Sequence, residues 1–269
     1  MRNTGVIILA GTQPGCTTIG RNRLWVEMAR SLAARGCPTI RFDYHGLGES
    51  LGGSVEYDLN LPATEVFDAA ADQLRWLGVE RIVVVATCFG SRTAVAAASK
   101  LEDIAGLLLV APPVRDIKKG RGATSHLATY ASTGQLLKRA FTPRTLRRFV
   151  MNPHTRTMTR RVLTMSARSR LTSVGRDHAA HVTEAAEGFQ RPLAELIGKG
   201  VPVRMLFGTD DYFYTEFERA SEGSLGDLID GSNGLVEVDT VGGVMRGFTT
   251  TDVQEYVHTE ALAWVERCA

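Results

Sequence analysis

The sequence lacks long apolar runs and clustered cysteines. Its 269 residues contain no stretch that approaches the roughly 18 apolar residues of a membrane span, and the early run Val6–Ala10 is too short for the core of a secretory signal. No CxxC pair or metal-type spacing occurs among the four cysteines, which are Cys16, Cys37, Cys88 and Cys268. We therefore expect a cytoplasmic protein with reduced thiols and with no membrane span, metal site or cofactor.

Short apolar runs rich in Val, Ile and Leu alternate with amphipathic segments. Such runs are typical of parallel strands buried on both faces, and the alternation predicts helices on both faces of a sheet. The predicted strands are Val6–Ala10, Thr39–Phe42, Ile82–Ala86, Gly106–Val110, Val203–Phe207 and Leu235–Val238. The predicted helices are Leu24–Arg35, Glu65–Leu77, Ser91–Lys100 and Val253–Arg267. The fold class is therefore α/β, with a mostly parallel sheet of about six strands.

The alternation stops between residues 113 and 199, where no convincing buried strand occurs. Residues 114–200 also contain 17 Lys/Arg and 5 Asp/Glu, whereas the rest of the chain contains 14 basic and 24 acidic residues. An insertion of this length between two core strands is a candidate lid. The sequence thus predicts a core of residues 1–112 and 200–269 and a helical, basic lid of residues 113–199.

The stretch IVVVATCFGS, residues 82–91, predicts a buried strand, a sharp turn and the start of a helix. Such a turn would raise the side chain of Cys88 above the carboxyl end of the sheet, at a helix N-terminus that favours a thiolate. A thiol needs less help from a base than a hydroxyl does, because part of it is ionised at neutral pH. The alternative is a buried cysteine that packs as a small hydrophobic residue.

Four motifs, in this order, resemble those of the α/β-hydrolase superfamily, in its serine aminopeptidase-like branch. They are PTIRFDYHGLGES (38–50), ATCFG (86–90), FGTDD (207–211) and DTVGGVMRGF (239–248). With the early loop GTQPG and the helix RLWVEMARSLAARG, they are also similar to hydrolases associated with bacterial exosortase systems, some of which carry Cys as the nucleophile. The resemblance implies an α/β-hydrolase fold over almost the whole chain, a fold that supports many chemistries.

The resemblance also implies where the reaction would take place. Cys88 occupies the position of the nucleophile. The oxyanion hole would consist of the backbone N–H of Phe89 and a second N–H from Thr12 or Gln13 in the early loop.

The chain departs from the family pattern at the acid and histidine positions. The family's acid usually lies three residues after a glycine, which favours Asp211 over Asp210, with a solvated loop carboxylate as the alternative. Arg246 stands at or beside the usual histidine position, and no histidine lies between residues 182 and 257. Arginine stays protonated and cannot act as a base. It could stabilise a thiolate or bind an anionic substrate group, or it is a surface residue in a degenerate loop.

The six histidines offer no obvious replacement. His45 follows the second strand and is interpreted as structural, and His258 lies about 18 Å of helix beyond the loop of Arg246. A histidine of the predicted lid could reach the site from above; these residues are His126, His154, His178 and His181.

The family's first two strands have no counterpart before Val6. Their absence would leave Thr39–Phe42 near an edge of the sheet. Because exposed edges are usually covered or paired, we expect this edge to contribute to a homodimer.

The arginines of the predicted lid indicate an anionic partner. Arg147 and Arg148 precede Phe149, and Arg160 and Arg161 form a second pair, so either pair could bind phosphate. No nucleic-acid-binding motif is present, and we expect coenzyme A or an acidic acyl carrier protein rather than nucleic acid. The alternative is a solvated face that balances the acidic core.

These features together predict acyl transfer, or thioester or ester cleavage, through Cys88 on a carrier-linked substrate. The missing histidine would impair hydrolysis most, since water needs a base to attack an acyl-enzyme. The alternative is a non-catalytic relative that binds a ligand or partner through the same pocket and the basic lid.

Overall fold

The computed structural model describes residues 3–11, 17–52, 57–116, 184–245 and 247–269. In these residues, parallel strands form one six-stranded sheet in the order β2-β1-β3-β4-β5-β6. The strands are β1 (Thr4–Leu9), β2 (Thr39–Phe42), β3 (Arg81–Thr87), β4 (Ile104–Val110), β5 (Val203–Gly208) and β6 (Val236–Val241). Each strand predicted from the sequence is present, and the parallel sheet is confirmed.

Helices lie between the strands and pack on the sheet. In the described residues they are α1 (Leu24–Ala34), α2 (Glu65–Trp76), α3 (Phe89–Ala98), α4 (Glu187–Gly198), α5 (Tyr212–Ser221), α6 (Ser224–Asp230) and α7 (Thr251–Cys268). The four predicted helices correspond to α1, α2, α3 and α7. The sequence did not predict α5 and α6, which follow β5, or the short 3-10 helix Arg21–Arg23 before α1.

The centre of the sheet is buried because its strands carry apolar side chains at almost every position. All of β4 and all of β3 except Arg81 are buried. Helices α1 and α7 cover one face, where Trp25, Met28 and Trp264 join side chains of β1 and β3 in one core. All ten residues of α3 are buried. Each fully buried large apolar side chain contributes about 1.5–3 kcal/mol to folding.

The order of the strands determines which end of the sheet can hold a site. The chain passes from β1 to β2 on one side, then returns across β1 to β3 and continues in the opposite direction. In open parallel sheets, ligands bind at the carboxyl ends of the strands where this order reverses. The turns that follow β1 and β3 therefore border the expected site.

Strand β2 lies at an edge of the described sheet, as the sequence predicts. Its four residues are all half-buried, and they pair with β1 on one side. The homodimer expected at this edge stays a prediction.

Most of the predicted lid lies outside the described residues, because these omit residues 117–183. The described helix α4 falls in the range assigned to the lid; it packs against α3 and buries Phe189, Leu193 and Leu196. The proposed division of the chain into core and lid stays a prediction. No helix in the described residues has the length and hydropathy to cross a membrane.

Candidate active site

Cys88 forms a one-residue turn between β3, which ends at Thr87, and α3, which begins at Phe89. Its backbone has φ 52° and ψ −133°, a conformation that non-glycine residues rarely adopt. The Cys88 N–H donates to the carbonyl of Val110 at 3.0 Å, so the turn is held against the end of β4. The strained backbone presents Cys88 at the carboxyl end of the sheet; its role as a nucleophile stays a prediction.

Gly90 allows α3 to approach β1 closely. A Cβ atom at this position would lie 2.3 Å from the carbonyl oxygen of Ala10, which is far inside van der Waals contact. Since Ala10 immediately follows β1, this contact places the start of α3 directly beside the early loop. The glycine in ATCFG is therefore required by packing.

Two other thiols in the described residues differ from Cys88. Cys37 and Cys268 are buried, whereas Cys88 is half-buried. Burial raises the pKa of each buried thiol to about 11, and the Cys37 thiol donates to the carbonyl of Thr4 at 3.1 Å. Those two cysteines behave as small core residues, and Cys88 does not share their environment. Cys16 lies outside the described residues.

Only part of the predicted oxyanion hole can be described. The N–H of Phe89 belongs to the first turn of α3, where N–H groups have no acceptor within the helix. The Phe89 ring packs edge-on against Phe213 of α5, with ring centroids 5.9 Å apart. Thr12 and Gln13 lie outside the described residues, and their contribution stays a prediction.

Asp211 is a buried carboxylate at the start of α5, just after β5. Its Oδ2 accepts the N–H of Met245 at 3.0 Å and the N–H of Gly208 at 3.3 Å. Asp210 is exposed, and its own N–H donates to the carbonyl of Gly243 at 2.9 Å. Because it accepts the N–H of Met245, Asp211 holds the loop that follows β6. Strand β4 separates β3 from β5, so strand spacing puts Asp211 about 10 Å from the elbow.

The loop after β6 is fixed on both sides of position 246. A Cβ on Gly208 would lie 2.5 Å from the backbone nitrogen of Met245, so β5 and the loop are in close contact. On the other side, the Gln254 side-chain amide donates to the carbonyl of Phe248 at 2.7 Å. Arg246 itself lies outside the described residues, and its role in stabilising a thiolate or binding an anionic substrate group stays a prediction.

Neither histidine in the described residues takes the family's histidine position. His258 hydrogen-bonds the Ser31 hydroxyl at 3.1 Å, between α7 and α1. His45 is exposed in the turn after β2, and its ring lies beside Gly52. Strand β1 lies between β2 and β3, so this turn is not adjacent to the elbow in the sheet. The four lid histidines lie outside the described residues, namely His126, His154, His178 and His181.

Asp43, within the motif PTIRFDYHGLGES, is a further candidate site residue to which the sequence alone assigns no role. Its buried carboxylate accepts the N–H of Thr18 at 2.7 Å, the Thr18 hydroxyl at 3.2 Å and the N–H of Glu49 at 3.1 Å. These bonds hold the chain immediately after the early loop. The sequence feature that could have indicated this role is an aspartate directly after β2, at the start of a glycine-rich turn.

The predicted anion-binding residues lie outside the described residues; they are Arg147, Arg148, Arg160 and Arg161. Among the described residues, no group of three or more His, Cys, Asp or Glu side chains could hold a metal ion.

Comparison with known proteins identifies the fold. The sequence model of the alpha/beta hydrolase family matches residues 7–241. Similar solved structures include the monoacylglycerol lipase of Paleococcus ferrophilus, with 17% identity over 98% of this chain and 95% of that chain, at a TM-score of 0.54. The proline iminopeptidase of Mycobacterium smegmatis shares 16% identity over 100% and 91% of the two chains, at a TM-score of 0.53.

A third similar structure is a loop variant of the haloalkane dehalogenase of Bradyrhizobium elkanii, with 17% identity, 98% and 89% coverage and a TM-score of 0.52. No match was found among curated proteins. The names of these three proteins indicate that they act on different bonds. Identities this low show the α/β-hydrolase fold alone. The reaction depends on the side chains at the site and not on the fold.

Proposed function

The chain belongs to the alpha/beta hydrolase family, and on that premise we propose that it transfers acyl groups through Cys88. One observation carries the proposal: Cys88 is half-buried on a turn whose backbone is strained. Such strain costs about 1–3 kcal/mol and concentrates at functional sites. A cysteine that only filled space would need neither the strain nor the exposure, as Cys37 and Cys268 illustrate.

In the proposed reaction, the Cys88 thiolate attacks the carbonyl carbon of an acyl thioester or activated ester. A carbon–sulfur bond forms, and the Phe89 N–H and a donor from the early loop bind the oxyanion. The bond to the leaving group then breaks, and the leaving thiolate (from a thioester) or alkoxide (from an ester) takes a proton from water. An acceptor next attacks the acyl-Cys88, which releases the Cys88 thiolate while the proton of the acceptor passes to solvent.

The acceptor is proposed to be an amine or a thiol in preference to water. Water is a poor nucleophile unless a general base removes its proton, and neither His45 nor His258 is placed for that task. Asp211 would support the site by holding the loop of Arg246 through the N–H of Met245. Arg246 would then stabilise the thiolate or bind an anionic group of the substrate.

The substrate is proposed to be linked to coenzyme A or to an acidic acyl carrier protein. Support comes from the sequence, because residues 114–200 carry 17 basic and 5 acidic side chains. A surface of this charge attracts phosphate groups and acidic proteins. Within it, the paired arginines Arg147–Arg148 and Arg160–Arg161 are the candidate contacts.

Intact-mass measurement after mixing the protein with acyl-coenzyme A of several chain lengths tests the proposal. We expect the wild-type mass to increase by one acyl group, and we expect no increase for Cys88→Ala. Cys268→Ala is the matched control, because it removes a buried thiol and should keep the adduct. Absence of the adduct from wild type, or the same adduct on Cys88→Ala, would defeat the proposal.

A non-catalytic binding protein is the second candidate. The observation in its favour is that the Asp211 carboxylate binds two backbone N–H groups, which is structural work that needs no reaction. The rate of Cys88 alkylation by iodoacetamide, measured against pH, separates the candidates. A thiol that stays inert up to the alkaline range supports the binding protein, and one that reacts near neutral pH supports the enzyme.

A further inference from the structure

Arg92 is an arginine buried in the helix that begins at the elbow, four residues after Cys88. Only 1% of the residue is exposed. Its Nη2 lies 2.5 Å from Oδ1 of Asp116, and its Nη1 donates to the carbonyl of Arg115 at 3.4 Å. Asp116 is 58% exposed, so the ion pair joins a buried cation to a surface carboxylate.

The segment Ala111–Asp116, hereafter the wall segment, runs from the elbow to this ion pair. Just before it, the carbonyl of Val110 accepts the Cys88 N–H. At its start, the N–H of Ala111 donates to the carbonyl of Leu206 at 2.8 Å. Pro112 and Pro113 follow and are buried. Because proline has a fixed φ and no N–H, this part of the backbone is stiff. Fixing its far end therefore fixes the whole segment, which begins one residue after the Val110 carbonyl that binds the Cys88 N–H.

The same arginine lies close to the chain that returns to the core after residue 183. The N–H of Ala186 donates to the carbonyl of Val114 at 2.8 Å. A Cβ on Gly188 would lie 3.7 Å from the Arg92 Nη2. Arg92 thus joins α3 to the wall segment, and the start of α4 lies beside it.

The cost of burying this charge indicates a specific role. A buried guanidinium loses its hydration, and apolar side chains of similar volume would often give equal or greater stability. No acceptor for the buried Arg92 Nε is found in the part of the chain that the structure describes. A buried ion pair of this kind can instead contribute specificity of position, because the guanidinium is stabilised only when its carboxylate partner is in place.

We propose that Arg92 is a positioning residue that fixes the wall segment beside Cys88 and so limits the size of the acyl group that reaches the thiol. The inference rests on the proposed role of Cys88 as the reacting group. Access to that thiol can nevertheless be measured without any acyl transfer, and the two proposals can fail separately.

The test compares alkylation of Cys88 in the full-length protein by a small reagent, iodoacetamide, and a bulky one, pyrenyl maleimide, followed by peptide mass. In Asp116→Asn, we expect an unchanged iodoacetamide rate and a several-fold faster maleimide rate, since the wall segment loses its anchor. Arg92→Met should have the same effect, and Arg92→Lys should restore part of the wild-type ratio. Asp116→Asn changes a surface residue and keeps the experiment decisive if Arg92→Met fails to fold.

Glu102→Gln is the matched control. It removes a more exposed ion pair, Glu102 with Lys199 at 2.7 Å, at the opposite end of β4, and should leave both rates unchanged. The proposal is overturned if the ratio of the two rates stays at or below the wild-type value in Asp116→Asn, or if both rates rise together. A wild type that forms no acyl adduct would defeat the proposed function, while the maleimide ratio would still decide the role of Arg92.

Discussion

The elbow and the acid side of the candidate site are built from the same kind of close backbone contact, but they use it differently. At the elbow, Gly90 lets α3 pack on the carbonyl of Ala10, and the turn presents Cys88. On the acid side, Gly208 packs on the loop after β6, and Asp211 binds the backbone of that loop. The elbow exposes a side chain, whereas the acid side fixes a loop. The backbone framework of such a site therefore does not depend on a histidine.

The largest expected effect is a difference in reactivity between the elbow thiol of Cys88 and the buried thiols of Cys37 and Cys268. The pKa values of Cys37 and Cys268 are raised to about 11 by burial. Both stay protonated until the pH approaches that value, so about one in a thousand is thiolate at pH 8. Peptide mapping after brief treatment with iodoacetamide at pH 8 should find Cys88 modified and those two unmodified. Equal labelling of the three would remove the distinction that the elbow is proposed to create.

The next effect concerns packing at the elbow. Gly90→Ala should lower the free energy of unfolding by about 3 kcal/mol, since the new Cβ meets a backbone carbonyl that cannot move aside cheaply. Urea unfolding measures this change. The matched control is Gly198→Ala at the end of α4, where nothing lies within 4 Å of the added atom; it should be neutral or stabilising. Wild-type stability in Gly90→Ala would contradict the packing described here.

A smaller effect is expected on the acid side. Asp211→Asn should lower the free energy of unfolding by about 2 kcal/mol, because a buried carboxylate that accepts two N–H groups is replaced by a weaker acceptor. Asp210→Asn, at an exposed position, should stay within about 0.5 kcal/mol of wild type. Iodoacetamide should modify Cys88 more slowly in Asp211→Asn, because the loop of Arg246 is held less firmly, and at the wild-type rate in Asp210→Asn. A wild-type rate in Asp211→Asn would show that the two sides of the site are not coupled.

The smallest expected effect is a pH dependence of the free energy of unfolding. It comes from His258, which lies on neither side of the site. Burial and the nearby Arg35 lower the pKa of His258, while Glu27 opposes them. The unfolded chain therefore takes up the proton first, and stability that is complete above pH about 6.5 declines as the pH falls through the range below it. His258→Gln can keep a hydrogen bond to Ser31 and should flatten this decline in urea unfolding. An unchanged pH profile would assign the decline to other groups.

The strands could be predicted because central parallel strands are buried on both faces and read as continuous apolar runs. The helix α5 could not, since Tyr212, Phe213 and Tyr214 open it with aromatic residues that are typical of strands. Its helical form depends on packing, such as Phe213 on Phe89 and Phe217 on Phe207. Such contacts between distant segments leave no local pattern.

Part of the site could also be predicted, because it lies in one continuous stretch of sequence. The elbow is a continuous motif, so its position and its glycine follow from the sequence. The burial of Arg92 does not, because an arginine in a helix is normally exposed and its partner Asp116 is 24 residues away. The role of Asp43 likewise depends on Thr18, which is 25 residues away.

Helix α7 (Thr251–Cys268) has a consequence for the order in which the protein is assembled. Its Val257 and Trp264 complete the same core as Val6 and Ile8 of β1, and Cys268 lies directly over Gly106 of β4. Helix α1 covers part of this face, and the rest of it can be covered only once α7 is in place. Contacts between residues so far apart in sequence also form slowly. Closing that face therefore depends on contacts between segments that are far apart in sequence, and we expect it to be a late event in folding.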